Sequence, residues 1–233
     1  MPLFSVKDLS CQQGVKTLFE NATFGIDANE KIAVIGPNGS GKSTLLSLLY
    51  TSISEPNDAI ATQNGIKVSF LAQSLSFDAS HTIQEHLFKS DTPASQAVRR
   101  YHQSLADYEL EQTEATEAEL AAATSQMDEL GAWEYDDRVT AILQELDISD
   151  MSQKMGELSG GMLKKISLAQ FFFESADLLI VDEPTNHLDI KTIEWLEGML
   201  KKSQSAILMV THDRYFMNRV CNRIFEIDQQ QLF

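Results

Sequence analysis

The sequence predicts an α/β fold: a mainly parallel sheet with helices on both sides, an antiparallel β edge layer, and an inserted α-helical segment. Three observations carry this. Lys31-Ile32-Ala33-Val34-Ile35-Gly36 is a short apolar run closed by glycine, and a helix-forming stretch, 42–50, follows at once. Strand, tight loop and helix in that order open an α/β unit. Within 177–182 and 205–211, residues 178–181 and 206–210 are continuously apolar, as central strands buried on both faces must be. The third observation is a change of period in the middle of the chain, from that of strands to that of helices.

Taken in order, residues 3–9 and 22–26 read as strands of the antiparallel layer, and 66–71 alternates as a strand does. Val98, Tyr101, Leu105 and Tyr108 recur at three and four, as do Leu120, Ala123, Met127 and Leu130. Each set lines one face of a helix. Thr116 and Glu119 form a capping-box pattern, so the second of these helices is expected to start near Thr116. Residues 190–202 read as a helix, with Asp189 placed to cap it. The expected organisation is one domain, 1–233, with a core of 1–94 and 151–233 and a helical insertion, 95–150.

The chain has 233 residues, 43% of them hydrophobic, enough for one substantial core plus an appended subdomain. No apolar run approaches the roughly 18 residues that span a bilayer. Lys7 and Asp8 interrupt the amino terminus before any signal-like stretch develops. Cys11 and Cys221 have no CxxC spacing and read as free thiols, which fits a reducing, cytoplasmic compartment. A net charge of -16 argues against loose nucleic-acid binding, which needs a basic face.

Gly36-Pro37-Asn38-Gly39-Ser40-Gly41-Lys42-Ser43-Thr44 satisfies G-x-x-x-x-G-K-[ST] between a predicted strand and helix. The glycines let backbone N–H groups wrap phosphates, and the helix that follows adds the positive end of its dipole. Lys42 is expected to reach the β- and γ-phosphates of ATP, and the Ser43 hydroxyl to ligate Mg²⁺. Asp182 and Glu183 end a buried strand. Asp182 suits the Mg²⁺ shell, and Glu183 suits orientation or deprotonation of an attacking water. Alone, paired acids at a strand end are often solvated turn residues. Ser159-Gly160-Gly161 begins a helix, with Ser159 as its N-cap and glycines that allow an anion close. One helix start already serves the phosphates, so this second one is superfluous unless it serves a different nucleotide.

These motifs, with Gln73 after a strand, Asn186-His187-Leu188-Asp189 and a late His212, stand in the order found in ABC-type nucleotide-binding domains, and the chain resembles that family over nearly its whole length. The resemblance implies a P-loop ABC ATPase core in which two domains trap ATP between them. Ser159, Gly160 and Gly161 of one domain would close on the γ-phosphate held by Lys42 of another. It further implies that Gln73 senses Mg²⁺ and the water, that Asp189 crosses the interface, and that His212 contacts the γ-phosphate. Glu183-Pro-Thr-Asn-His-Leu-Asp189 and Thr211-His-Asp-Arg-Tyr-Phe216 resemble the ABC-F class, two-domain ATPases without a membrane partner. Thr192-Ile-Glu-Trp-Leu-Glu-Gly198 is similar to the first domain of Uup-type members. That class carries a helical arm where the insertion lies here, and implies the ribosome as the machine acted on. The other reading is the ATPase subunit of a membrane transporter.

The sequence departs from the family at three places. Gln13 stands where an aromatic ring usually stacks on adenine, leaving Phe19 or Phe4 as substitutes. Met162 follows the signature where glutamine is common. Between 102 and 157 only Arg138 and Lys154 are basic among many acids, so direct nucleic-acid binding along the insertion is disfavoured, with Arg99 and Arg100 as the basic pair at its base. A single set of motifs fits either one domain of a tandem protein or a homodimer.

Overall fold

The computed structural model describes residues 2–73, 76–89 and 92–233. They form two compact units, Met1–Leu75 with Glu174–Phe233, and Ser76–Phe173. The first unit contains β1 (Phe4–Gln13), β2 (Lys16–Ile26), β3 (Lys31–Ile35), α1 (Lys42–Thr51), β4 (Ile60–Thr62) and β5 (Val68–Leu71). The second contains α2 (Ile83–Leu87), α3 (Pro93–Leu110), α4 (Glu114–Leu130), α5 (Trp133–Glu145) and α6 (Gly160–Phe173). The chain returns to the first unit as β6 (Leu178–Asp182), α7 (Ile190–Lys202), β7 (Ala206–Val210), α8 (Arg214–Val220), β8 (Arg223–Asp228) and β9 (Gln231–Leu232).

The first unit holds two sheets. A six-stranded sheet runs β5-β6-β7-β3-β8-β9 and is parallel except for β9. Every residue of β6 and β7 is buried, which explains why neither strand alternates in sequence. A three-stranded antiparallel sheet runs β2-β1-β4. Leu45, Leu46 and Leu49 of α1 are fully buried in the same core as Phe4, Phe19, Ile32, Val34 and Ile180. Truncating a leucine so placed costs about 2–5 kcal/mol.

β1 and β2 run farther than the expected 3–9 and 22–26. They continue to a tight turn at Gly14 (φ 62°) and Val15, with Gln13 paired to Lys16. The polar residues at that end face solvent on the hairpin tip, so they give no apolar signal. β5 starts at Val68, two residues later than expected.

In the second unit α3 and α4 form a hairpin around Glu111–Thr113, and Val98, Ala123 and Met127 are buried, as the periodicity requires. The capping box is three residues earlier than expected. Thr113 accepts from Thr116 N at 3.2 Å, and the Thr116 hydroxyl sits 3.0 Å from Thr113 N, filling the place Glu119 was expected to take. Glu119 instead pairs with Arg100 at 2.9 Å, and Gln126 accepts from Arg100 at 2.9 Å. The α6 cap is as expected, with Met162 N donating to Ser159 Oγ at 3.2 Å.

Candidate nucleotide site

Four parallel strands end side by side, and each delivers one part of the site. From the sheet edge inward, β5 leads to Gln73, β6 ends at Asp182 and Glu183, β7 leads to Thr211 and His212, and β3 leads into the glycine-rich loop. The register pairs Leu71 with Val181, Asp182 with Val210, and Val34 also with Val210, so these strands end at one level. Such a crevice, outside the carboxyl ends of parallel strands, is where ligands bind in open α/β sheets.

The loop after β3 needs its glycines. At Gly36 (φ 150°) a Cβ would lie 2.4 Å from the Ile227 carbonyl oxygen, and at Gly41 (φ 100°) 2.9 Å from Leu18 Cβ. Both conflicts involve fixed groups of the core. Lys42 is nearly buried, and its ammonium donates to the carbonyls of Gly36 at 2.9 Å and Pro37 at 3.0 Å. α1 begins at Lys42 with no side-chain cap, so its first N–H groups are available to an anion. Ser40 Oγ is buried in the loop without a hydrogen-bond partner.

Glu183 is 6% exposed and has a left-handed backbone, φ 49°. Residues other than glycine reach that region at a cost of about 1–2 kcal/mol. Its N–H donates to Val210 O at 2.8 Å, which fixes the turn against β7. Its carboxylate accepts from His212 N at 3.3 Å, and Oε1 lies 3.3 Å from His212 Nε2. The latter distance is in ion-pair range but lacks hydrogen-bond alignment. Seven other non-glycine residues among those described share a positive φ, so it is the burial of Glu183 at the strand end beside the phosphate loop that sets it apart.

These parts surround a cleft of about 380 Å³. Asn38, Gly39, Gly41, Lys42, Ser43, Thr44, Gln73, Glu183 and His212 line it, all of them expected site residues. Asp182, buried at the end of β6, is not among the lining residues. Asp189 caps α7, accepting from Thr192 N at 2.8 Å. Ser159, Gly160 and Gly161 belong to the second unit. Asn186, Leu18 and Val210 also line the cleft and were missed. Asn186 stood in a motif, whereas Leu18 and Val210 are apolar residues that only the fold brings there.

Gln13 does line the cleft. Phe19 and Phe4 do not substitute for a ring there: both are buried in the core, at 1% and 0% exposure, so neither offers a free face to a base. The two cysteines are unpaired, as expected, and lie outside the cleft. Burial pushes the Cys221 thiol up to about 12.

A strand, a glycine-rich phosphate loop and a helix, with a carboxylate at the end of the strand two places away in the same sheet, define a P-loop nucleotide-binding domain. Residues 19–186 match the family described as ABC transporter, and the chain belongs to that family as an ATPase domain. It is 40% identical over 236 residues to the uncharacterized ABC transporter ATP-binding protein YfmR of Bacillus subtilis, across 100% of this chain and 37% of that protein. It is 31% identical over 215 residues to the ATP-binding protein Uup of Escherichia coli (92% and 34%). It is 28% identical over 232 residues to the energy-dependent translational throttle protein EttA of Mycobacterium tuberculosis (99% and 41%). Among solved structures, the ATP-binding subunit of an ABC transporter superposes with a TM-score of 0.71 at 22% identity, over 99% of this chain and 88% of that one. The chain thus spans 34–41% of the length of these three relatives.

Proposed function

We propose that this domain hydrolyses Mg-ATP in the cleft, in a sandwich with a second ABC domain, and that it is an ABC-F type ATPase acting on the translation machinery in the cytoplasm. The observation that carries the chemistry is Glu183: a buried, strained carboxylate on the same cleft wall as the phosphate loop. Mg²⁺ would be held by the Ser43 hydroxyl and the Gln73 amide oxygen on the cleft wall, with the Asp182 carboxylate, buried at the end of β6 behind that wall, completing its shell. Hard oxygens of this kind, few in number and completed by substrate phosphates, suit Mg²⁺. The partnerless Ser40 hydroxyl fits a loop built to meet phosphate oxygens. Bound there, Mg²⁺ would neutralise charge that develops on the phosphates.

In this reading Lys42 leaves its two carbonyls for the β- and γ-phosphates, and the loop N–H groups hold the remaining oxygens. Glu183 accepts a proton from the attacking water. His212 contacts the γ-phosphate and braces Glu183. Ser159, Gly160 and Gly161 of the second domain cover the γ-phosphate, and Asp189 lies across the interface.

The ABC-F assignment rests on the Glu183–Asp189 and Thr211–Phe216 motifs, on the helical insertion at 95–150, and on the likeness to Uup and to EttA, whose name describes translational control. Among the described residues no helix is long and apolar enough to cross a membrane. The transporter reading is the alternative, since the relative YfmR is named for one. Full-length Glu183→Gln protein in Mg-ATP separates the two. Cosedimentation with ribosomes supports the proposal, and fractionation with membranes or a co-purifying permease overturns it.

A further inference from the structure

The cleft faces a highly charged ligand with few cations of its own. Lys42 is the only lysine or arginine among its lining residues, while Glu183 brings negative charge. The whole chain carries -16, so the surrounding field is also unfavourable to a polyphosphate. A second cation stands next to the phosphate loop, outside every motif. Lys16, at the tip of the β1–β2 hairpin, donates from Nζ to the carbonyl oxygen of Gly39 at 2.9 Å. Lys16 and Gln13 are directly paired across the hairpin, and residues paired in this way project on the same face. Gln13 lines the cleft and Gly39 belongs to its wall. The hairpin tip therefore carries its ammonium to the rim of the cleft.

We propose that Lys16 is a nucleotide-binding residue, a second ammonium that contacts the phosphates from beside Gly39. This rests on the nucleotide reading above. The phosphate loop is held between two lysines: the carbonyls of Gly36 and Pro37 face Lys42, and that of Gly39 faces Lys16. An ammonium has three donors. One of those on Lys16 goes to Gly39, leaving the others for ligand oxygens. Placed so, Lys16 contributes to affinity where Gln13 provides no aromatic ring, and its contribution is electrostatic.

The test is calorimetric titration of the chain with Mg-ATP and Mg-ADP, comparing wild type with Lys16→Arg, Lys16→Gln and Lys16→Ala, each at low and high salt. One charge contact about 4 Å away in a water-exposed setting changes affinity by about fivefold. Lys16→Gln and Lys16→Ala should both weaken ATP by that order and flatten its salt dependence, while Lys16→Arg stays near wild type. If Lys16 serves only as a tie to Gly39, Lys16→Gln, which keeps a donor, binds as wild type does, and the proposal is overturned. It is equally overturned if all three variants bind as wild type. If wild type itself shows no binding of Mg-ATP, and Lys42→Ala changes nothing, the nucleotide reading fails first and this one with it.

Discussion

Glu183 shows how much one residue can carry. It is buried, its backbone is left-handed, and its carboxylate meets both the N–H and the ring of His212. Replacing it with glutamine keeps the volume and removes the base. Steady-state turnover should fall about 10²-fold or more, while Mg-ATP still binds. Turnover within a few-fold of wild type would take Glu183 out of that role. Gln13 makes a second prediction at this scale. A stacked base gains about 1–3 kcal/mol from a ring, and the candidate rings Phe4 and Phe19 are locked in the core. Competition titrations should therefore show little selectivity for ATP over GTP. A preference of a hundredfold would mean that another group reads the base.

The sequence carried the site's residues better than its geometry. That Lys42, Ser43 and Glu183 reach one cleft is legible because each sits at the end of a strand whose burial is plain in the pattern, whereas Gln73 and His212 follow only from the order of motifs in the family resemblance. Lys16 is not legible, because only the register of a hairpin brings it beside Gly39, 23 positions away. At the level of elements the same division holds. α7 was readable to its cap, since Asp189 precedes a clean apolar stripe. The start of α4 is hidden in the sequence because Thr113 and Thr116 close the box with hydroxyls, and Glu119 pairs instead with Arg100. Asp189 separates two roles that coincide at one position. Asparagine is as good an N-cap as aspartate, whereas alanine loses about 0.5–2 kcal/mol. In thermal or urea unfolding, Asp189→Asn should match wild type and Asp189→Ala should lose about 1 kcal/mol. Equal loss in both would show that the charge, not the cap, matters to α7.

For the whole molecule the open matter is how so acidic a chain would meet a ribosome. Of Arg99 and Arg100, the basic pair expected to serve as a contact at the foot of the α3–α4 hairpin, Arg100 is engaged by Glu119 and Gln126, while Arg99 is exposed. At the other end Glu111, Glu114 and Glu117 are exposed around the turn, beside Leu110, which is 87% exposed. Repulsion from RNA phosphates acts on any such cluster, so a tip contact would have to be with a basic protein surface. The three glutamates can be changed to glutamine together. Neutral replacements are preferable to lysine, because Glu114 and Glu117 lie in the first turn of α4, where a cation opposes the helix dipole by about 0.3–1 kcal/mol. With helicity checked by circular dichroism, full-length Glu183→Gln protein carrying the three changes should cosediment with ribosomes several-fold less well than its parent in Mg-ATP. The difference should shrink as salt rises and screens the exposed charges. Stronger cosedimentation would place the tip against RNA instead, and no change would show that the hairpin tip does not touch the ribosome.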